Sequence, residues 1–264
     1  MDWFNILLLA VFQGVAEFLP ISSSGHLAVL GNWLGIDPEA NFSLGIVLHA
    51  GTLLAIVVFY FRSLLEFVKL RRNRLACMIV LGSVPAGVIG ILFKSKVEEW
   101  AANMWVVGCC FLFTAAALFF SDRMRKKRAE AGAAAVPVDQ IGWKQALGIG
   151  AAQAVALMPG ISRSGSTIAA ARLCGVPAKE AAEFSFLMSL PLLFGATLLE
   201  LLKFFKDGSA SEALPWGTTL FGVLVSAVVG YAALSLLVGM LRRGVFWIFG
   251  CYCLLAGLLT LLFL

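Results

Sequence analysis

The stretch that decides the fold is QGVAEFLPISSSGH, residues 13–26. Gln13 and Glu17 stand four residues apart in an apolar segment, so in a helix both side chains leave the same face. Pro20 ends that helix because it lacks an N–H group and disfavours helical geometry in the residue before it. Three serines, a glycine and a histidine follow at Ser22–His26. The stretch therefore predicts an apolar helix that breaks at a concentrated polar turn.

The composition around this stretch indicates a polytopic membrane protein. Of the 264 residues, 61% are hydrophobic and 13% are charged, whereas soluble domains average roughly half apolar and a quarter charged. The net charge is +5, and the basic residues flank apolar segments. We therefore attribute this charge to membrane topology and expect the lipid bilayer, not nucleic acid, as partner. Six segments approach the length of about 20 residues that a bilayer requires. They are Phe42–Phe61, Leu75–Phe93, Met104–Phe120, Ala181–Phe204, Pro215–Val238 and Val245–Phe263.

Two further apolar regions, residues 3–34 and 141–176, are interrupted in the middle by Pro, Gly and Ser. Each predicts two half-length helices joined by a polar turn. Irregular backbone at membrane depth is tolerated only where it is buried in protein or lines a cavity. We therefore predict an all-α polytopic membrane protein with six transmembrane helices and two re-entrant helical hairpins.

The second broken region repeats the first, because residues 13–25 align with residues 153–165. The identical pairs are Gln13/Gln153, Val15/Val155, Ala16/Ala156, Ile21/Ile161, Ser22/Ser162, Ser24/Ser164 and Gly25/Gly165. Residues 1–122 and 141–264 each hold one hairpin followed by three spans, and residues 123–140 form a basic, then Ala/Gly-rich linker. A re-entrant hairpin returns to the side it entered from, and three spans then bring the chain to the opposite side of the membrane. The second half therefore begins on the opposite side and is inverted relative to the first. Inverted repeats place their broken helices near the bilayer midplane, so we expect the two hairpin tips to meet.

The Lys and Arg residues predict the orientation of the chain. Three loops that would share one side, at residues 62–74, 123–128 and 242–243, carry most of them. The opposite loops carry few, such as Lys94 and Lys96. Because basic loops stay inside, we predict that the basic side is cytoplasmic and that both termini are external. The first hairpin would then enter from outside and the second from the cytoplasm.

The two tips carry different chemical groups. The second tip, PGISRSGST at residues 159–167, has Arg163 where the first has Ser23. A helix N-terminus favours an anion, and Arg adds a bidentate fork suited to phosphate. The first tip supplies Glu17 and His26, which can transfer protons or activate a nucleophile. The pattern predicts one tip that holds anionic oxygens and one that performs acid–base or nucleophilic chemistry.

Structural interpretations remain open beside the functional ones. Serines at a helix break can simply cap it, and Glu17 and Arg163 can serve as buried hydrogen-bonded or ion-pair partners. An intramembrane ionisable group is nonetheless a functional candidate by default. His49 lies inside the first long span, and we interpret it as a helix-contact residue.

The two stretches resemble the signature motifs of the undecaprenyl-pyrophosphate phosphatases, the bacitracin-resistance family. The pattern (E/Q)-x-x-x-E followed by P-x-S-S-x-G-H matches residues 13–26, and P-G-x-S-R-S-x-x-T matches residues 159–167. Length, repeat and hydrophobic profile agree over essentially the whole chain. The resemblance implies hydrolysis of a polyprenyl pyrophosphate, undecaprenyl pyrophosphate, to the monophosphate, which recycles the carrier for the cell wall and confers bacitracin resistance. It also implies the bacterial plasma membrane, a site open to the outer face, and a divalent cation, Mg²⁺ or Ca²⁺.

The resemblance also implies the site residues. Catalytic roles fall on Glu17, Ser23, His26 and Arg163. Predicted diphosphate-binding residues are Gln13, Ser22, Ser162, Ser164 and Thr167, and the Ser-x-Ser-Gly arrangement of the first tip adds Ser24. Gln13 replaces the Glu of many members and cannot act as a base, which leaves Glu17 as the one carboxylate and the candidate metal ligand of the motif. The nucleophile is either Ser23, which we favour, or a water that Glu17 and His26 activate.

The rival class is a transporter or flippase of a polyprenyl phosphate or another anionic lipid. Inverted repeats with broken helices are a transporter architecture, and such a protein needs the same anion clamp. The cluster of Glu17, His26 and serines favours an enzyme because binding alone does not require so many acid–base groups. A homo-oligomer is the remaining partner prediction, and the sequence does not fix the oligomeric state.

Overall fold

A computed structural model describes residues 3–207 and 216–264. These residues form α-helices and one short 3₁₀ helix, Val138–Gln140, and contain no strand, which confirms the prediction of an all-α protein. The helices are α1 Trp3–Phe18, α2 Ser23–Trp33, α3 Pro38–Phe59, α4 Phe61–Val68, α5 Asn73–Leu92, α6 Lys94–Ala102, α7 Met104–Glu130, α8 Trp143–Val155, α9 Arg163–Leu173, α10 Ala178–Asp207, α11 Trp216–Arg243 and α12 Trp247–Phe263.

Five helices in the described ranges are long and apolar enough to cross a membrane: α3, α5, α7, α10 over Ala178–Leu199 and α11 over Gly217–Arg243. They correspond to the first five predicted spans; the start of the fifth, Pro215, lies outside the described residues. The sixth span, predicted at Val245–Phe263, forms the shorter apolar helix α12 of 17 residues. The protein is therefore a multi-pass helical protein, with five full-length candidate spans in the residues that the structure describes.

Two helix ends differ from the sequence-based boundaries for local reasons. Helix α3 begins earlier than predicted because Asp37 caps it, accepting from the backbone N–H groups of Glu39 and Ala40 at 3.1 and 3.0 Å. Pro38 suits the first helical position because its φ is preset and its missing N–H would be unpaired there. Helix α7 continues into the segment that we predicted as a linker, and its basic last turn complements the helix dipole.

Both predicted breaks are present. Between α1 and α2, Ser22 adopts a φ of +70°, and its Oγ accepts from the Gly25 N–H at 3.3 Å. Between α8 and α9, Gly160 takes the positive φ, and Ser162 Oγ accepts from the Gly165 N–H at 3.0 Å. A left-handed serine costs of order 1–3 kcal/mol and persists only where the surrounding structure fixes it. The first break is therefore strained at the residue next to Ser23.

Helices from one half of the chain pack against helices from the other half. Helix α1 packs along α11, and α8 packs along α5, so the first helix of each broken pair lies against the second long helix of the other half. Small residues allow these close approaches. A Cβ added at Gly14 would lie 2.9 Å from the Ser226 carbonyl oxygen, and one added at Gly150 would meet the carbonyl group of Gly82. Helices α7 and α12 also pack together, as do α3 and α10.

Candidate active site

The two tips meet, as the repeat predicts. A Cβ at Gly25 would lie 2.8 Å from Gly160 Cα, so only glycine fits at this crossing. Ser164 Oγ donates to the Leu19 carbonyl at 3.2 Å and so fastens the second tip to the end of α1. The contact places residues from both halves of the chain in one site.

The second tip is also held from behind by α7 and α10. Thr114 Oγ1 accepts the N–H of Ser162 and donates to the Gly160 carbonyl, both at 3.0 Å. Thr167 is fully buried, and its Oγ1 donates to the Arg163 carbonyl at 2.8 Å and contacts Ser185 Oγ at 2.5 Å. The Thr167 hydroxyl is thus engaged with protein, and its predicted contact with the diphosphate stays a prediction.

Glu17 lies at the centre of the site. Its Oε1 contacts Arg163 Nη2 at 2.5 Å, and its Oε2 accepts from Ser23 Oγ at 2.7 Å and from Gln13 Nε2 at 3.2 Å. The structure therefore brings three other predicted site residues, Gln13, Ser23 and Arg163, to one buried carboxylate. The second terminal nitrogen of Arg163, Nη1, has no hydrogen-bond partner in the described part of the chain. Half of the guanidinium fork is left for a ligand.

His49 contacts this carboxylate too. Its Nε2 lies 3.3 Å from Glu17 Oε2, and its Nδ1 lies 2.6 Å from the Gly45 carbonyl oxygen. Since a carbonyl only accepts, Nδ1 carries a proton. His49, which we interpreted as a helix-contact residue, thus joins α3 to α1 at the predicted catalytic carboxylate. The available signal was an ionisable side chain inside an apolar span.

His26 points away from the carboxylate. Its Nδ1 donates to the Ser22 carbonyl at 2.7 Å, its Nε2 lies 2.6 Å from the hydroxyl oxygen of Tyr252, and aromatic rings of α1, α7 and α12 surround it. Neither ring nitrogen contacts Ser23 or Glu17 within the described ranges. The ring fastens the strained Ser22 to α12, and its predicted role in proton transfer remains a prediction.

A cavity of about 930 Å³ opens from the tips. At one end it is lined by Glu17, Ser23, His49, Arg163 and serines of both tips. Its apolar walls include residues of α3, α5 and α10, among them Phe42, Val80, Val84, Ile91, Leu193 and Leu199. A polar end with convergent hydrogen-bonding groups and apolar walls suits an amphiphile with an anionic head.

Gln153, which the repeat aligns with Gln13, lines the same cavity although it was not a predicted site residue. It is fully buried, and neither atom of its amide has a hydrogen-bond partner among the residues described. Gln13 donates a hydrogen bond to Glu17, one helical turn later. The residue one turn after Gln153 is Leu157, whose side chain cannot accept a hydrogen bond. A buried unpaired amide costs roughly 1–3 kcal/mol, so Gln153 is a candidate ligand contact.

The side chains at the tips do not form a complete cation site. The part of the chain that the structure describes holds no group of three or more His, Cys, Asp or Glu side chains able to bind a metal ion. Among the residues that the structure describes, Glu17 is the only carboxylate at the tips, and both of its oxygens already accept from protein donors. Mg²⁺ and Ca²⁺ require several oxygen ligands, which this set does not supply.

Fold and site together define a multi-pass helical membrane protein with a serine, a carboxylate and a guanidinium at the polar end of an amphiphile-sized cavity. The family profile described as "Bacitracin resistance protein BacA" matches residues 6–259, and the chain belongs to that family. Proteins named "Undecaprenyl-diphosphatase" from Parabacteroides distasonis and Halothermothrix orenii are 36% and 35% identical to it over 269 and 264 residues, covering 99% of this chain and 98% of each relative. A third, from Desulfatibacillum aliphaticivorans, is 36% identical over 279 residues, 97% of both chains.

Proposed function

We propose that this protein is an integral membrane undecaprenyl-diphosphate phosphatase. It hydrolyses undecaprenyl pyrophosphate to undecaprenyl phosphate and inorganic phosphate, which recycles the lipid carrier for cell-wall synthesis and confers resistance to bacitracin. The observation that carries the proposal is the arrangement of Ser23, Glu17 and Arg163 at the polar end of the cavity. The names of the relatives agree with it.

The terminal phosphate binds at the second tip. Arg163 Nη1, which has no hydrogen-bond partner among the described residues, donates to it, and the N-terminus of α9, which begins at Arg163, adds the positive end of the helix dipole. Arg163 spans the carboxylate and the phosphate, because its other terminal nitrogen contacts Glu17. The prenyl chain lies along the apolar wall formed by α5 and α10.

The reaction begins at Ser23, whose hydroxyl already donates to Glu17. Ser23 Oγ attacks the terminal phosphorus while Glu17 takes its proton. The bond from that phosphorus to the bridging oxygen breaks, and undecaprenyl phosphate leaves with the electron pair and takes the proton from Glu17, which restores the carboxylate. Water then attacks the phosphoserine while Glu17 takes its proton, and Glu17 returns that proton to Ser23 Oγ as inorganic phosphate leaves. Arg163 stabilises the charge on the transferred group. Direct attack by water on the diphosphate is the alternative, and it uses the same base.

Ser23→Ala distinguishes the two routes. If Ser23 is the nucleophile, the variant loses phosphate release by about 10³-fold or more, because the covalent step is abolished. The measurement is phosphate release from a polyprenyl pyrophosphate by purified protein. Ser235→Ala, which removes an exposed hydroxyl bonded to its own helix, is the matched control. Near-normal turnover of a folded Ser23→Ala protein would establish attack by water.

We infer that the chain crosses the membrane six times, that both broken helix pairs are re-entrant hairpins, and that the termini and the cavity face outward. Two observations support this arrangement. The exchanged packing of α1 on α11 and α8 on α5 is the pattern expected of inverted repeats. The residues that line the cavity include Asp37 and Lys94, which lie near connections that the distribution of basic residues assigns to the outside.

The decisive experiment measures phosphate release by the purified protein in detergent, with and without a chelator. We expect phosphate release, and the resemblance implies that this release falls on chelation and returns with Mg²⁺ or Ca²⁺. Dependence on the ion is a prediction from the resemblance. Absence of release under every cation condition, together with lipid movement in vesicles, would favour the transporter.

A further inference from the structure

His49 is fixed in place by its own helix. Its Nδ1–H donates to the carbonyl of Gly45, one turn earlier, at 2.6 Å, and its own carbonyl accepts from Thr52 Oγ1 at 3.1 Å. The side chain is 21% exposed and lines the cavity. A ring held in this way presents Nε2 in one direction only, and that direction is the carboxylate of Glu17.

His49 contacts the same carboxylate oxygen of Glu17, Oε2, that accepts the hydrogen bond from Ser23. His49 Nε2 lies 3.3 Å and Ser23 Oγ lies 2.7 Å from Glu17 Oε2. Because Nδ1 is committed to Gly45, Nε2 and a carboxylate oxygen attract each other only through a shared proton. The ring and the carboxyl group therefore form a hydrogen bond beside the reacting serine.

We propose that His49 is a positioning residue for the phosphatase reaction, which holds Glu17 Oε2 in line with the Ser23 hydroxyl; the inference rests on the proposed function. Arg163 holds the other carboxylate oxygen, so the two contacts together fix the plane of the carboxylate. When the diphosphate occupies part of the Arg163 fork, the His49 bond still orients Oε2. His49 acts through Glu17 and does not touch the substrate.

Two amide substitutions at His49 separate its contact with Glu17 from its contact with Gly45. The side-chain nitrogen of Gln falls close to the position of imidazole Nε2, whereas that of Asn falls close to Nδ1. His49→Gln therefore keeps a hydrogen-bond donor for Glu17. His49→Asn keeps the hydrogen bond to the Gly45 carbonyl and loses the hydrogen bond to Glu17. We expect His49→Asn to lower kcat by about 10- to 100-fold through misplacement of the base, with little change in KM. His49→Gln should recover most of that turnover.

A double variant tests whether His49 acts through Glu17. In a Glu17→Gln protein, where the base is absent, His49→Asn should cause no further loss of phosphate release, because residues that act as a unit are non-additive. Thermal unfolding of each variant monitors the fold. Full turnover of His49→Asn, equal losses in the Asn and Gln variants, a rise in KM at constant kcat, or a further loss in the Glu17→Gln background would each overturn the proposal. An inactive wild-type protein would instead refute the proposed function.

Discussion

Glu17→Gln is expected to reduce phosphate release by about 10²- to 10⁴-fold, the range typical for loss of a general base. The substitution keeps the size of the side chain and removes its ability to take the Ser23 proton. Because the diphosphate is held by the second tip, the loss should appear mainly in kcat. The measurement is steady-state phosphate release from a polyprenyl pyrophosphate at several substrate concentrations.

The same substitution should lower stability, which a control must separate from catalysis. Removing one partner of a buried ion pair typically costs about 3–5 kcal/mol, because the remaining charge is left buried. Glu183→Gln is the matched control, since Glu183 of α10 contacts Arg72, in the connection before α5, at 2.7 Å and lies outside the site. The control should lose thermal stability and keep its turnover. A folded Glu17→Gln protein with near-normal kcat would contradict the assignment of the base.

Arg163→Ala is expected to be as severe, with a loss of about 10³-fold or more in kcat/KM. A guanidinium that stabilises a transferring phosphoryl group contributes about 10³- to 10⁵-fold in known cases. Here it also holds Glu17 Oε1, so its removal affects binding, charge stabilisation and the geometry of the base together. Both KM and kcat should therefore change, unlike in Glu17→Gln.

Arg163→Lys distinguishes charge from shape. Lysine keeps the positive charge but cannot contact carboxylate and phosphate at once with a planar fork, so we expect only partial recovery. Arg71→Ala, at a side chain that is 67% exposed, is the control for loss of a surface cation. If Arg163→Ala retains both substrate binding and turnover, the phosphate clamp lies elsewhere.

Local sequence features were sufficient for much of the architecture. Long apolar runs predicted the five full-length spans, and the Pro, Gly and Ser at the two breaks predicted both helix pairs. The boundaries of α3 and α7 were less predictable. The start of α3 depends on its cap, and the end of α7 depends on a helix that continues beyond its apolar part. The short helices α4 and α6 lie in segments without a long apolar run and were not predicted.

Part of the site also followed from the repeat. The alignment of residues 13–25 with 153–165 required that the tips be related, and Glu17, Ser23 and Arg163 do meet there. The role of Thr114 behind the second tip could not be foreseen, since it depends on which face of α7 contacts the loop before α9.

The sequence by itself determined the helical membrane class, the two breaks and the chemical groups at each tip, because these depend on residues close together in the chain. The tertiary structure decided which groups touch. It turned His26 toward Tyr252, brought His49 to Glu17 and left the Gln153 amide without a hydrogen-bond partner among the described residues. The physical reason is that these contacts depend on how rigid helices rotate and pack against each other. Helical periodicity places a side chain on a face, but only packing decides what that face meets.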